Sequence, residues 1–161
     1  MKIELYGASG KLQKMIKLEK FEDNFGTGYD YLVKNEISGV VGRIEVRLRD
    51  LEWYEQESTL SHKIVSALQK EVIDEEEGIA EIQKFYPHKE PIKSRIPRAW
   101  RNQGIGTCVL KTVVRDLYQR EIGFIYCHTP EFTLYSILLN NGFKDLGIRD
   151  SEDHLLKKPR I

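Results

Sequence analysis

The sequence predicts a mixed α/β fold in which helices pack on a sheet, and three features predict it. Residues 40–49 alternate apolar and charged side chains with the two-residue period of a half-buried strand. Gly106, Leu110, Val113, Val114 and Leu117 recur at the spacing of one helical face. Between residue 79 and the end of the chain, strand-like and helix-like stretches take turns, which is the order expected of helices laid on a sheet.

Composition bounds the answer. The chain has 161 residues with 40% hydrophobic side chains, enough for one domain with a core that needs neither disulfides nor metals. Lys plus Arg and Asp plus Glu both number 25, so the net charge is zero and any electrostatic recognition must be local. Cys108 and Cys127 lack CxxC spacing, and His62, His88, His128 and His154 lack the pairing of a helical metal site, so no metal is expected. No apolar run approaches a membrane span and the first residues lack a signal-peptide core, so a cytoplasmic protein that binds no membrane is expected.

Taken in order, residues 1–6 and 15–21 are strand candidates, and 29–49 read as an antiparallel hairpin turned at Ser38-Gly39. Ile64, Val65, Leu68 and Val72 predict an amphipathic helix over 61–77 with Ser61 as N-cap. Its end would carry Glu71, Asp74, Glu75, Glu76 and Glu77, which oppose the helix dipole and form either a solvated end or a patch attracting a cation. A strand follows over 79–86, then the basic stretch HKEPIKSRIPRAW, and then a helix from 102 with Gly123 as a stop. Residues 124–127 suit a buried strand. Thr129 and Pro130 are expected to start a second helix that Gly142 closes, and strand-like runs at 143–149 and 153–157 finish the chain.

The most informative stretch is Arg101-Asn102-Gln103-Gly104-Ile105-Gly106-Thr107, set immediately before a helix. Two glycines one residue apart permit close backbone approach, and a helix start leaves N–H groups without intrahelical partners, so the turn suits a phosphate or pyrophosphate. Residues 89–120 hold eight Lys and Arg against Glu90 and Asp116. A dinucleotide fingerprint fails because position 109 is Val109, and the Gly-Lys-Ser/Thr of a P-loop is missing.

Arg101-x-x-Gly104-x-Gly106, preceded by Ile96-Pro97-Arg98-Ala99-Trp100, resembles the acetyl-CoA pyrophosphate loop of GNAT-type N-acetyltransferases. The resemblance runs over residues 96–146, roughly a third of the chain, through the helix, strand and helix that end at Asn141-Gly142-Phe143. It implies a GNAT-like fold: a mixed, mostly antiparallel central sheet with helices on both faces. It also implies acetyl-CoA as cosubstrate, with Arg101, Asn102, Gln103, Gly104, Ile105, Gly106 and Thr107 on the pyrophosphate and Ile96 and Arg98 on the pantetheine and phosphates. Members of this size are frequently homodimers.

Two positions depart from the family pattern. Leu138 stands where a tyrosine often protonates the departing thiolate, which leaves Tyr135, one turn earlier, as the substitute. Glu131 stands where an asparagine commonly opens the helix. The helix at 61–77 also falls where the family usually passes directly between strands.

Acetyl transfer to an amine requires a neutral nucleophile, so a base must take a proton from an ammonium. Glu81 is the first candidate, on a strand that looks like the family's central one, with Glu90 and His128 as rivals. Both cysteines sit in apolar surroundings where a thiol is inert. The function so implied is acetyl-CoA-dependent N-acetylation of a primary amine on a small molecule or peptide by direct transfer. A cationic acceptor is favoured by the acidic run from Glu71 to Glu81. The alternatives are a noncatalytic acyl-CoA-binding domain and a nucleic-acid-binding module on the basic stretch, the last disfavoured by zero net charge.

Overall fold

The structure is a computed structural model and describes residues 2–6, 12–22, 26–35, 39–57, 61–72, 78–87, 105–120, 122–148 and 150–158. Eight strands form one sheet: β1 (Lys2–Tyr6), β2 (Leu12–Glu22), β3 (Gly28–Asn35), β4 (Gly39–Arg49), β5 (Ile79–Pro87), β6 (Phe124–Thr129), β7 (Lys144–Asp145) and β8 (Asp153–Lys157). Their spatial order is β1-β2-β3-β4-β5-β6-β8-β7, and every neighbouring pair is antiparallel except β5 with β6. A parallel pair needs a crossover, which α3 (Ile105–Tyr118) supplies. The remaining helices are α1 (Leu51–Gln56), α2 (His62–Glu71) and α4 (Phe132–Asn140).

Because side chains alternate along a strand, the sheet buries a separate core on each face. On one face Tyr31, Val33, Ile44, Val46, Ile82 and Ile125 pack against Val109, Leu110, Val113 and Leu117 of α3 and Leu134 and Leu138 of α4. On the other, Ile79, Phe124, Tyr126 and Leu156 pack against Leu51 and Tyr54 of α1 and Ile64 and Leu68 of α2. The sheet is thus mostly antiparallel with helices on both faces, as the sequence implied.

A buried polar cluster ties α3 to the far strands. Asp116 pairs with Lys20 of β2 and accepts a 2.6 Å hydrogen bond from the Tyr31 hydroxyl. Burial pulls the Lys20 ammonium below its ordinary range, and Asp116 opposes that shift. The outer turns of α3 are thereby anchored across the sheet.

Four expectations are corrected. The helix at 61–77 ends at Glu71 with Val72, buried in the second core, as its extended C-cap, while residues 73–77 lie outside the described ones. Continued to 77, it would have set four more carboxylates against the negative end of its dipole. Residues 51–56, given no element by periodicity, form α1, capped by Asp50, whose side chain accepts from Trp53 N at 2.8 Å. The N-cap of α4 is Glu131 rather than Thr129: its carboxylate accepts from the N–H groups of Thr133 and Leu134, and Thr129 instead accepts from Glu131 N. The strand expected over 143–149 shrinks to Lys144–Asp145. Gly142 does close α4, in the left-handed conformation at φ 86°.

Candidate active site

Two parallel strands that part company define the site. β5 and β6 pair from Ile79↔Phe124 to Ile82↔Cys127 and no further among the described residues. Beyond that point β5 follows β4 to Pro87, while β6 follows β8 to Thr129↔Asp153. The register of β4 against β5 jumps from Val46↔Ile82 to Glu45↔Lys84, which leaves Gln83 as the extra residue of a bulge where the strands separate. A split of this kind exposes unpaired backbone N–H and C=O groups on two facing edges, ready to receive an extended amide-bearing ligand.

Glu81 stands two residues before Gln83 of the bulge, on the face that α1 and α2 cover. It is 6% exposed, a burial that its flanking apolar residues did not reveal. Its Oε2 accepts from Arg49 Nε at 2.7 Å and Gln83 Nε2 at 3.3 Å. The Arg49 guanidinium also lies 3.5 Å from the Trp53 ring centroid, so α1 holds the cation that holds the carboxylate. The Tyr54 hydroxyl is fully buried beside Glu81, and burial, with that carboxylate next, pushes the phenol well above its ordinary value.

Two histidines lie on the same face. His154 of β8 is 3% exposed. Its Nε2 lies 3.0 Å from both Asp150 oxygens and its Nδ1 lies 2.6 Å from the Tyr126 hydroxyl. The Glu152 backbone N–H and then His154 hold the Asp150 carboxyl below the usual carboxylate range, and Nε2 donates to that carboxylate. His128, the first residue of β6 past the last pair with β5, stacks on this ring at 6.0 Å and 24°. Its Nδ1 lies 2.7 Å from Glu152 Oε2, and its side chain is 29% exposed.

The predicted cofactor residues divide. Ile96, Arg98, Arg101, Asn102, Gln103 and Gly104 lie outside the described residues, as does the rival base Glu90. Ile105, Gly106 and Thr107 form the first turn of α3, where N–H groups lack intrahelical acceptors. Farther along α3 and beside the end of α4, a cavity of about 630 Å³ is lined by Lys111, Arg115, Gln119, Asn141 and Lys157 among others, with no carboxylate among its described lining. It adjoins α3 rather than the split, about 9 Å along the helix from Ile105. It fits a phosphate-bearing end of a ligand rather than a reacting group.

Tyr135 donates to Asp145 Oδ2 at 2.9 Å, so its hydroxyl is turned to edge strand β7, two strands from β6. Glu71 is held by Lys144 and Lys158, which removes it from the acidic patch that was to attract a cation. Burial pushes both thiols up: Cys127 is buried and Cys108 half-buried. Sequence reasoning did not find Arg49 or Glu152, which reach their partners from 32 and 24 residues away with no local spacing to announce them.

This arrangement is the GNAT-type acetyltransferase fold. It is similar to a GNAT family acetyltransferase from Elizabethkingia anophelis with acetyl-CoA bound, at TM-score 0.54 and 11% identity over 91% of this chain and 99% of that one. It is also similar to a histone acetyltransferase HPA2 and related acetyltransferase from Corynebacterium glutamicum, at TM-score 0.53 and 13% identity over 84% of this chain and 66% of that one. A PaiA N-acetyltransferase from Thermoplasma acidophilum in complex with coenzyme A matches at TM-score 0.51 and 14% identity over 82% of this chain; the chain spans 61% of its length. No protein-family model matches the sequence, and no curated protein does. At such identities the likeness is one of fold.

Proposed function

We propose that the protein transfers an acetyl group from acetyl-CoA to a primary amine, with the thioester seated in the split between β5 and β6. The observation that carries this reading is the parting of the two strands after Ile82↔Cys127. Pantetheine carries two amides, and an unpaired strand edge offers the complementary donors and acceptors. An N–H on that edge also suits the oxyanion of the tetrahedral intermediate, a contribution of about 3 kcal/mol per donor.

By the resemblance, Arg101 to Gly104 and the start of α3 take the pyrophosphate, and Lys111, Arg115 and Lys157, which line the cavity farther along α3, meet the phosphate on the adenosine end. The acceptor enters from the α1–α2 face, where Glu81, fixed by Arg49, provides a carboxylate beside the split. Tyr135 is the phenol that the resemblance offers to the departing thiolate, and it must leave Asp145 to serve there. The acceptor is a small-molecule or peptide amine, and the setting is cytoplasmic.

The test is thiol release from acetyl-CoA across a panel of primary amines, with the acetylated product identified by mass. Turnover with at least one amine supports the reading. Tight coenzyme A binding without turnover on any amine favours a noncatalytic acyl-CoA-binding domain, and salt-sensitive binding of nucleic acid that acetyl-CoA leaves unaffected contradicts both.

A further inference from the structure

We infer that His128, oriented by Glu152, is the proton acceptor for the amine, and that Glu81 is not; this rests on the transferase reading above. Glu152 Oε2 at 2.7 Å from Nδ1 fixes the tautomer with Nδ1–H donating and Nε2 carrying the free lone pair. No hydrogen bond to Nε2 is formed among the described residues. The ring is partly exposed and stands just past the last β5–β6 pair, at the mouth of the split. Register places Glu81 opposite Tyr126, and His128 is two residues along from Tyr126 on the same face, so the two backbones are about 8 Å apart.

The two candidates differ in what a transferred proton would do. A proton on Glu81 would cancel the charge that compensates the Arg49 guanidinium, leaving a largely buried cation without its partner. A proton on His128 would instead complete an ion pair with Glu152. The groups facing the ring are Glu152 and His154 from β8 and its approach, Asp150 beyond His154, and Tyr126 from β6. One carboxylate thus touches the ring and a second lies beyond the neighbouring imidazole, and Arg49 is already committed to Glu81 one strand away.

In the step, R–NH3⁺ gives one proton to Nε2. The freed lone pair forms the N–C bond at the acetyl carbonyl to give the tetrahedral oxyanion; its collapse breaks the C–S bond, the thiolate takes the Tyr135 phenol proton to leave as thiol, and the second N–H proton restores that phenol. The imidazolium then returns its proton to solvent beside Glu152, so the products are amide, thiol and one H⁺.

Two readouts test the assignment. In the free protein, ¹⁵N NMR of the His128 ring should show the Nδ1–H tautomer, and Glu152→Gln should shift that signal. In turnover, His128→Gln should lower kcat by about 10²- to 10⁴-fold and abolish the acidic limb of the kcat/KM profile, with coenzyme A affinity unchanged. Glu152→Gln, which keeps the size of the side chain, should retain the limb but lower kcat, because the ring loses the carboxylate that orients it. Glu81→Gln should retain the limb. If wild type acetylates an amine and His128→Gln keeps both kcat and the limb, the assignment is overturned while the transferase reading stands. A ring found in the Nε2–H tautomer also overturns it, and a wild type that acetylates no amine overturns both.

Discussion

The two stacked histidines share a structural setting, an imidazole on a strand beside a carboxylate, yet they are built for different work. His154 uses both nitrogens, on Asp150 and Tyr126, and is sealed from water. His128 uses one nitrogen, on Glu152, its other nitrogen makes no hydrogen bond among the described residues, and its backbone stands just past the last β5–β6 pair. The contrast recurs elsewhere. Lys20–Asp116 is a buried pair that locks α3 to the sheet and Arg49–Glu81 one that joins β4 to β5, whereas the Glu71 pair with Lys144 and Lys158 lies nearer the surface. A polar group whose bonds are all met inside the protein holds the fold, and one with a free valence at a cleft is available for chemistry.

Substitutions that open a closed pair should cost the most. Asp116→Ala leaves the Lys20 ammonium buried without its anion, and breaking such a pair costs about 3–5 kcal/mol, readable as a lowered midpoint in urea. Next comes His154→Leu, which strands the buried Tyr126 hydroxyl at about 1–3 kcal/mol, whereas His128→Leu should cost less than about 1 kcal/mol in the same melt. Equal costs at the two histidines would erase the contrast.

A smaller effect belongs to Glu71. Lys144 and then Lys158 hold its carboxyl below the usual carboxylate range, so its contribution to stability is present above the unfolded value and fades as pH falls through the folded one. The stability gap between wild type and Glu71→Gln should therefore close as pH falls below the unfolded carboxyl value of about 4.3. A gap that persisted at the acid end would assign the effect to packing. Smallest of all, Tyr135→Phe removes one half-buried bond to Asp145 and should cost about 1 kcal/mol. A large loss of kcat without that small loss of stability would put the phenol at the thioester.

What the sequence made legible was periodic or local. α3, β6, the β3–β4 hairpin and the left-handed Gly142 all carry their signal within a few residues of themselves. α1 escaped because six residues are too few for a helical period, and only Asp50 as a cap announced it. Glu81 was legible as a strand residue beside the site, but its burial was not, because Arg49 and Tyr54 come from other elements. His128 stood as one of three candidate bases until the register of β6 with β8 brought Glu152 to its ring. Pairings of high sequence separation carry no local spacing, and the split itself, a point where two registers diverge, belongs to that kind.

The central claim is that the parted strands β5 and β6 receive an acyl-CoA, and calorimetric titration with acetyl-CoA, paired with thermal melting, tests it most directly. The account predicts one saturable site and, at a ligand concentration 100 times its dissociation constant, about 2.7 kcal/mol of added stability. No heat of binding and an unchanged melting temperature would contradict it.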